Sequence, residues 1–350
     1  MNRLDTAARA ARHEPDSADA SESLGTYALA MADEHLARML FGADLEALTD
    51  IPARGIHPVI QTFDPATLDR LGDVEVLVTG WGAPKITARV LEALPRLRAV
   101  VHAGGGTQAL VESEVRSRLA LSTAGDVNAV PVAEYTLAMI LLACKQVFRA
   151  ARTYRRRREA IDREQSFQTA GNFGQTVGIV GASRIGRRVI ALLRPFDLHI
   201  VVHDPQLDHA SARRLGVELV DLEELMQRSD VVSLHAPLND ETRHMVAARE
   251  LAAMKDGATL INTARGGVVD MAALETELVS GRIDAVLDVT DPLEPLPSDS
   301  RLWDLPNVLI TPHVAGSMGT ELRRMGDHVA GELRRALNGE PFVAPEPHDG

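Results

Sequence analysis

The chain has 350 residues, which at about 150 residues per domain predicts two domains. Its content of 45% hydrophobic and 25% charged residues is ordinary for a soluble enzyme. The 49 acidic residues outnumber the 37 Lys and Arg residues, and the net charge of −12 disfavours a general nucleic-acid or anionic-membrane binder.

The first 30 residues contain no apolar stretch of the kind that a secretory signal needs. Acidic residues in this segment also argue against a transit peptide; they are Glu14, Asp16, Asp19 and Glu22. We expect residues 1–30 to form a disordered lead-in, and we place the chain in the cytoplasm. The single cysteine, Cys144, leaves no intrachain disulfide and no cysteine zinc site, so no metal is expected.

From about residue 31 the hydrophobic pattern alternates between helical and strand periods. It predicts helices at 34–41 and 86–94 and strands at 74–81, 97–103 and 119–123. A long helix follows, which we expect to begin at Pro131, because proline suits the first turn, and to end near Arg156. Its longest nonpolar run, 137–144, is shorter than the about 20 residues that span a bilayer. We interpret its run of four arginines, 155–158, as cations favoured by a helix C-terminus, with phosphate binding as the alternative.

The alternation restarts after the loop at 171–175. It predicts strands at 176–180, 199–203, 231–235, 259–263, 285–289 and 308–311, with helices through 193 and at 222–228, 241–251 and 271–280. Buried strands that alternate with helices predict an α/β fold with a parallel, doubly wound sheet. The last amphipathic stretch, 320–337, is expected to pack back on the first domain.

A glycine-containing loop follows the strand predicted at 176–180. Gly181, Ser183 and Gly186 occupy the glycine positions of the dinucleotide fingerprint G-x-G-x-x-G, with serine in the second. A strand, a tight turn and a helix N-terminus direct backbone N–H groups at one place, so a pyrophosphate would also meet Arg184 and Ile185. A plain strand-turn-helix is the alternative.

Asp204 ends the next strand, 18 residues after Gly186, where about 20 is the expected spacing for the acidic residue that binds the adenosine ribose. Its carboxylate would accept from the 2′-hydroxyl and repel a 2′-phosphate, and no Lys or Arg follows until Arg213. The sequence therefore favours NAD over NADP, with a turn residue before Pro205 as the alternative for Asp204.

Further segments carry a resemblance to a known family. They are 229–238 (SDVVSLHAPL), 262–266 (NTARG), 287–289 (LDV), Glu294-Pro295 and 305–313 (LPNVLITPH). In this order, from about residue 74 to 317, the chain resembles the D-isomer-specific 2-hydroxyacid dehydrogenases, which include glycerate, phosphoglycerate and hydroxypyruvate-reductase-like enzymes. The resemblance implies a Rossmann-type NAD domain (129–317) inserted into a smaller flavodoxin-like α/β substrate domain (31–128, completed by 318–350). It also implies catalysis between the domains and a homodimer formed through the helix near Pro131.

The resemblance places the family's catalytic Arg, Glu and His at Arg265, Glu294 and His313. Their chemistry suits these roles, because imidazole exchanges a proton near neutral pH, a carboxylate fixes its tautomer, and guanidinium binds a carboxylate and a neighbouring carbonyl. The loop before Glu294 is one residue longer than is usual in the family, so Asp291 is an alternative partner of His313. Taken singly, each of the three could be an ordinary loop or strand-end residue.

Other site residues follow from the same resemblance. Asp288 is expected to hold the nicotinamide carboxamide, and His235 to line the cofactor without moving a proton. The remaining residues expected at the cofactor are Ala236, Pro237, Thr263, Ala264, Arg265, His313 and Gly316.

The first domain is expected to bind the substrate. The glycine loop at 104–106 resembles the family's carboxylate-binding loop, so the N–H groups of Gly105 and Gly106 are the expected donors, with a plain tight turn as the alternative. Gln108 stands where the family often has Asp. Trp81 would line the side-chain pocket, and Lys85 would either meet a phosphate or second carboxylate or be an ordinary exposed lysine. Asn128 would either reach the site or be a polar residue at a helix entry.

These features predict an NAD-dependent oxidoreductase that interconverts a D-2-hydroxy acid and its 2-oxo acid, with His313 as the acid and base. Formate or phosphite on the same machinery is one alternative, although the family's formate dehydrogenases have Gln where Glu294 stands. An NAD-sensing, corepressor-like or scaffold protein on the same fold is the other.

Overall fold

The computed structural model describes residues 25–346, which contain two parallel sheets. The first sheet has five strands: β1 (Gly25–Ala30), β2 (Ala53–Ile60), β3 (Val76–Thr79), β4 (Ala99–His102) and β5 (Ala120–Thr123). Their order is β2-β1-β3-β4-β5, the flavodoxin-like order that the resemblance implies. The connecting helices are α1 (Glu34–Phe41), α2 (Glu46–Thr49), α3 (Pro65–Arg70), α4 (Ala88–Ala93) and α5 (Ser113–Arg116).

Two strands of this sheet correct the sequence analysis. Residues 25–30 were expected in a disordered lead-in, but they form β1, whose residues after Gly25 are buried and which pairs with both β2 and β3. A strand flanked on both sides needs no polar alternation, so only a short apolar run marks it. The strand β2 was not predicted, because it contains Gly55 and Pro58; an edge strand tolerates both. Residues 1–24 lie outside the described part of the chain.

The helix predicted at 131–156 is two helices, α6 (Gly125–Cys144) and α7 (Val147–Arg157), followed by α8 (Arg163–Ser166). Proline was expected in the first turn, but Pro131 lies inside α6, where it removes one intrahelical hydrogen bond while the residues around it stay buried. The helices separate where Gln146 adopts a left-handed φ of 50°. Three of the four predicted arginines, Arg155, Arg156 and Arg157, form the last turn of α7, and Arg158 follows as its C-cap.

Contrary to the run-length argument, α6 is long and apolar enough, by length and composition, to cross a membrane. In the fold it packs against helices and strands of both halves of the molecule. Its fully buried residues, such as Ile140 and Cys144, contribute to the interior of the second half. Burial accounts for part of the apolar composition of α6, since 44% of its apolar window is buried.

The second sheet has seven parallel strands: β6 (Thr176–Val180), β7 (His199–His203), β8 (Glu218–Leu219), β9 (Val231–Leu234), β10 (Thr259–Asn262), β11 (Asp284–Leu287) and β12 (Val308–Ile310). Their order, β12-β11-β10-β9-β6-β7-β8, is the doubly wound Rossmann order with one further strand. Its helices are α9 (Arg184–Leu193), α10 (His209–Leu215), α11 (Leu222–Arg228), α12 (Ala248–Ala253) and α13 (Met271–Ser280).

The helix predicted at 241–251 was wrong over its first part, since α12 begins only at Ala248. The Asn239 side chain accepts hydrogen bonds from the N–H groups of Glu241 and Thr242 and so forms a turn in place of a helix. His244 then takes a left-handed φ of 54°, which ends the turn.

The last helix, α14 (Glu321–Leu337), packs on α1 and on β3 and β4 of the first sheet, as predicted. Its buried stripe includes Leu322, Met325, Val329 and Leu333. Beyond α14 the chain reaches the edge of the first sheet, where Pro345 bridges antiparallel to Ser122 in β5. The chain therefore begins and ends its described course on the same sheet.

Candidate active site

The sequence-predicted residues of the second half lie directly after six strands of one parallel sheet, and so at a single sheet edge. β6 leads into the loop at 181–186, β7 into Asp204, and β9 into His235, Ala236 and Pro237. β10 leads into Thr263, Ala264 and Arg265, β11 into Asp288, and β12 into the segment 311–316. This edge is where doubly wound sheets bind their ligands.

The loop after β6 has the close backbone approaches that a dinucleotide fingerprint requires. Gly181 has φ 96°, and a Cβ there would lie 2.6 Å from the Ala236 nitrogen. A Cβ at Gly186 would lie 2.1 Å from the Gly181 oxygen. Ser183 caps α9 by accepting from the Gly186 N–H, so the second glycine position serves as a helix cap. Arg184 and Ile185 are the first residues of α9, and their N–H groups have no intrahelical acceptor.

Asp204 lies next to this loop. Its Oδ2 accepts from the Ala182 N–H at 2.7 Å, and its Oδ1 accepts from the Gln206 N–H at 2.8 Å. The side chain is half-buried, and each oxygen keeps a further acceptor site. The carboxylate therefore braces the loop and can still accept from a ribose hydroxyl.

His235 supplies a test of whether the pocket fits a dinucleotide. Its Nε2 lies 2.9 Å from the Ser233 Oγ, whereas its buried Nδ1 has no partner among the described residues. Burial lowers the pKa of His235 to about 3, so the ring is neutral. A Cβ at Gly186 would lie 3.4 Å from the His235 Cβ, which places the imidazole beside the glycine loop. An unpartnered polar atom at this position fits the polar groups of a bound dinucleotide.

His313 and Glu294 form a hydrogen-bonded pair. The imidazole Nδ1 lies 2.7 Å from the Glu294 Oε1, and since a carboxylate only accepts, Nδ1–H donates and Nε2 faces away from the glutamate. Both side chains are partly exposed, His313 at 51% and Glu294 at 38%. Asp291, the alternative partner, lies elsewhere, with its Oδ1 3.2 Å from a Cβ built at Gly267.

Asp288 holds the loop that carries His313. Its carboxylate accepts from the Thr311 Oγ1 at 2.6 Å and from the N–H groups of Val314 and Ala315 at 2.8 and 2.9 Å. These three hydrogen bonds use three of about four acceptor sites of the carboxylate, so one remains for a carboxamide N–H. The Tyr135 hydroxyl lies 2.9 Å from the Thr311 Oγ1, and burial raises the pKa of Tyr135.

Arg265 lies on a loop that the Asn262 side chain stabilises with two hydrogen bonds. The buried Asn262 amide donates to the Arg265 carbonyl at 3.0 Å and accepts from the Ala264 N–H at 3.1 Å. The exposed guanidinium donates to the Ala264 carbonyl, and none of the described carboxylates pairs with it. A Cβ at Gly266 would lie 2.1 Å from the Thr290 carbonyl, so the Arg265 loop packs against the loop that carries Glu294.

The glycine loop of the first half follows β4. The N–H groups of Gly105 and Gly106 have no acceptor within residues 25–346, which leaves both free for an anion. Behind the loop, His102 is buried with its Nδ1 2.9 Å from the Thr79 Oγ1, and burial lowers the pKa of His102 to about 4. Trp81, after β3, is 41% exposed.

Lys85 follows Trp81 on the loop after β3 and has a protein partner. Its Nζ lies 3.8 Å from the Glu112 Oε1, and the side chain is 58% exposed. This position supports the alternative of an ordinary surface lysine. Gln108, which replaces the family's usual Asp, is exposed and follows the glycine loop.

The start of α6 brings the two halves together. A Cβ at Gly125 would lie 2.9 Å from the Gly105 carbonyl oxygen and 2.1 Å from the Arg184 guanidinium, which itself pairs with Asp126 at 2.6 Å. One turn later, the Asn128 Oδ1 accepts from the Ser317 N–H at 2.8 Å. Asn128 also lies 3.5 Å from a Cβ built at Gly316. The glycine loop, the dinucleotide loop and the His313 segment therefore all lie at the start of α6, and the space that they surround is the candidate cleft.

Three residues that hold parts of this site in place were not predicted as site residues: Asn262, Thr311 and Tyr135. The first two belong to the motifs that carried the family resemblance, so their presence was visible although their contacts were not. Among the described residues no group of His, Cys, Asp and Glu has the arrangement of a metal site.

Residues 137–315 match the profile of the D-isomer specific 2-hydroxyacid dehydrogenase, NAD binding domain. The glyoxylate reductase of Korarchaeum cryptofilum is 33% identical over 306 residues, which cover 83% of this chain and 92% of that protein. The D-3-phosphoglycerate dehydrogenase of Methanocaldococcus jannaschii is 34% identical over 276 residues. That match covers 78% of this chain and 52% of the relative, so the chain spans about half of the relative's length. In a solved structure, the TT0316 protein of Thermus thermophilus has a TM-score of 0.73 at 31% identity, covering 92% of this chain and 100% of that chain.

Proposed function

Because the chain belongs to the D-isomer-specific 2-hydroxyacid dehydrogenase family, we propose that it interconverts a D-2-hydroxy acid and the corresponding 2-oxo acid with NAD(H). The observation that carries the proposal is the 2.7 Å hydrogen bond between Glu294 and His313. This hydrogen bond fixes the tautomer of the His313 ring and leaves its Nε2 free to exchange a proton with a substrate. Arg265 lies in the same candidate cleft.

We propose that different residues of the cleft bind different parts of the cofactor. Arg184 and Ile185 would offer N–H groups to the pyrophosphate, Asp204 would accept from the adenosine ribose, and His235 would line the cofactor as a neutral ring. The other residues proposed to contact the cofactor are Gly181, Ser183, Gly186, Ala236, Pro237, Thr263, Ala264, Arg265, Asp288, His313 and Gly316. Asp204 would also repel a 2′-phosphate, so we propose NAD as the preferred cofactor.

The substrate would be fixed at its carboxylate and its carbonyl. Gly105 and Gly106 donate two N–H groups to the carboxylate, and Arg265 donates to the carboxylate and polarises the carbonyl oxygen. The nicotinamide, when bound, supplies or accepts the hydride at substrate C2. His313 donates its Nε2 proton to the carbonyl oxygen in reduction and removes the hydroxyl proton in oxidation, while Glu294 stabilises the charged imidazolium.

We propose the two sheets as two domains with separate tasks. Residues 129–317 would bind NAD, and residues 31–128 with 318–350 would bind the substrate, extended at the start to include β1 from Gly25. The position of the Asn128 to Ser317 hydrogen bond, next to both boundaries, supports this division.

The substrate side chain is proposed to be uncharged. Lys85 is the only Lys or Arg in the loops that follow β1, β3, β4 and β5 on the first sheet, and it lies beside Glu112. A phosphate or second carboxylate needs cationic partners in such a pocket. The exposed indole of Trp81 in the same set of loops offers an apolar surface instead.

The test is NADH oxidation, followed by absorbance, with 2-oxo acids whose side chains are apolar, small and polar, or phosphorylated. We expect turnover of an uncharged 2-oxo acid, a lower rate with NADPH, and a loss of about a hundredfold or more in His313→Ala and Arg265→Ala. The control His209→Ala removes an exposed histidine on α10 and is expected to keep full activity. NADH binding without turnover of any acid would favour a sensor, and an absence of NADH binding would refute the cofactor site.

We further propose a homodimer through α6. Beside its buried stripe, α6 carries partly exposed apolar residues at Val130, Leu137 and Leu141, spaced to share one face, and Leu137 also packs against the interior of the second half. The adjoining α7 has no buried residue. Light scattering after gel filtration should give a dimer for the wild type and a monomer for Leu141→Arg, a change on the same face at a residue outside the buried core. Met39→Arg, an equivalent change on an exposed apolar residue of α1, should leave the dimer intact.

We propose a cytoplasmic location, because a dehydrogenase that uses NAD(H) needs the NAD(H) that is present in the cytoplasm. The packing of α6 inside the fold supports this location. Fractionation of cells that express the chain should recover it without detergent.

A further inference from the structure

The segment after α14 forms an added edge on the first sheet. The Thr123 N–H donates to the Ala344 carbonyl, and the Glu346 N–H donates to the Leu121 carbonyl at 2.9 Å. Pro345 lies between these bonds and bridges antiparallel to Ser122. The final described residues therefore extend the sheet beside β5. The neighbour of β5 on its other side is β4, the strand that leads into the glycine loop.

A buried carboxylate on α14 fixes this path. Glu332 is 2% exposed, and its oxygens accept from the N–H groups of Val343 and Ala344 at 3.1 and 3.2 Å. It also accepts from the Ser122 hydroxyl at 2.7 Å, which ties the tail and β5 to the same side chain. The tail is thus held in one position along the sheet edge.

Glu346 extends from this tail to the end of the glycine loop. Its carboxylate accepts from the Thr107 N–H, at 3.0 and 3.2 Å to the two oxygens, and from the Thr107 hydroxyl. Arg116 donates to the Thr107 Oγ1 at 2.9 Å and lies 3.6 Å from the Glu346 Oε2. The Arg116 and Glu346 side chains are 8% and 7% exposed, so these groups form a buried charged network.

This network determines which N–H groups the loop presents. Glu346 occupies the N–H of Thr107, whereas the preceding Gly105 and Gly106 have no acceptor among the described residues. A Cβ at Gly106 would lie 3.2 Å from the Glu346 Oε1, so the carboxylate packs directly against the loop. Arg116 offsets the charge of Glu346, which would otherwise repel an anion bound at the two glycines.

We propose that Glu346 is a positioning residue that holds Gly105 and Gly106 in the conformation that binds the substrate carboxylate. The proposal rests on the proposed function, because it assigns the anion at the glycine loop to the substrate. Glu346 itself touches neither substrate nor cofactor. Its loss should weaken substrate binding and leave the dinucleotide site, on the other sheet, unchanged.

The test compares Glu346→Ala and Glu346→Gln with the wild type, using the 2-oxo acid that the wild type reduces. We expect the KM for that acid to rise about tenfold in Glu346→Ala, as expected when a buried donor loses its acceptor, and less in Glu346→Gln, which keeps one oxygen. The kcat and the Kd for NADH should stay within about twofold, whereas general destabilisation would change all three. The matched control is Glu340→Gln, an exposed carboxylate on the same tail.

Hydrogen exchange separates failure of this proposal from failure of the proposed function. In Glu346→Ala, peptides that cover residues 103–111 should exchange faster than in the wild type, whether or not any 2-oxo acid is reduced. Unchanged exchange there would overturn the positioning role, as would an unchanged KM in an active enzyme. Faster exchange in the variant, when the wild type reduces no acid, would refute the enzymatic function and leave the structural link between Glu346 and the loop in place.

Discussion

Carboxylates organise the candidate site at the scale of single residues. Asp204 accepts from the dinucleotide loop, Asp288 from the His313 loop and Glu346 from the glycine loop, each through backbone N–H groups. Glu294 differs, because it contacts the imidazole itself. Three of these acids therefore set the positions of backbone segments, and one sets the protonation geometry of a side chain.

Replacing Glu294 with Gln tests the imidazole contact. The substitution Glu294→Gln removes the charge that stabilises a protonated His313, and we expect kcat/KM to fall by at least about tenfold, the cost of losing a charge-assisted hydrogen bond. Asp291→Asn is the matched control, since Asp291 is on the same loop without contacting His313, and it should keep activity within about twofold. Steady-state kinetics with saturating NADH measure both. Equal losses in the two variants would contradict the assignment of Glu294.

The sequence predicted Arg265, Glu294 and His313 as candidate catalytic residues because they follow strand ends within motifs that resemble those of the family. It left Glu294 and Asp291 unresolved, because loop length does not reveal which carboxylate reaches the imidazole. Glu346 was invisible, since it lies 239 residues from Thr107 and no local pattern links the two. Contacts between distant segments depend on the path of the tail, which only the folded chain defines.

At the scale of elements, the loops after adjacent strands support one another. Gly266, after β10, approaches the Thr290 backbone after β11 so closely that no side chain fits between them. The loop after β12 is held in turn by Asp288, at the end of β11. Arg265, Glu294 and His313 thus lie on three loops that share two close contacts.

The close contact at Gly266 predicts that a side chain at this position disturbs both loops. In Gly266→Ala the new Cβ would overlap backbone atoms of Thr290, and such overpacking costs about 1–3 kcal/mol. We expect kcat to fall because Arg265 and Glu294 move apart, together with a lower Tm. Gly331→Ala on α14, where a Cβ meets no atom within 4 Å, should keep activity and leave Tm equal or higher. Full activity in Gly266→Ala would show that the two loops do not need this contact.

The sequence predicted the strands of the second sheet well, since continuous apolar runs bounded by turns mark them. It missed β1 and β2 on the first sheet and the two-residue β8 for different reasons. The first lay next to the chain's polar N-terminal segment, the second contains Gly55 and Pro58, and the third is too short to show a period. The predicted start of the long helix at Pro131 was wrong, because the burial of residues on both sides of Pro131, such as Ala129 and Val132, outweighs the preference of proline for a first turn.

On the scale of the whole molecule, each half buries one neutral imidazole near the cleft. His102 lies under the glycine loop and His235 under the dinucleotide loop, and burial lowers their pKa values to about 4 and about 3. Unfolding exposes both rings and restores ordinary values near 6.5. Unfolding therefore allows both rings to bind protons, so a lower pH favours the unfolded chain.

The stability should fall as the pH drops below about 6.5. Between that value and about pH 4 the unfolded chain binds protons that the folded chain does not, so each histidine contributes a slope of up to about 1.4 kcal/mol per pH unit. Urea unfolding at pH 7.5, 6 and 5 measures this slope, and His235→Asn should flatten it even if the variant is less stable at pH 7.5. Parallel curves for the two proteins would contradict the assignment.

The hydrogen bond between Asn128 and Ser317 has a mechanical consequence. The chain passes from the first sheet to the second at the start of α6 and returns before α14, and this bond joins the two passages at 2.8 Å. Two connections joined side by side restrict sliding of one sheet past the other more than they restrict a rotation about the point where they meet. A rotation of one sheet relative to the other about this point would change the distance between Gly105, after β4, and His313, after β12.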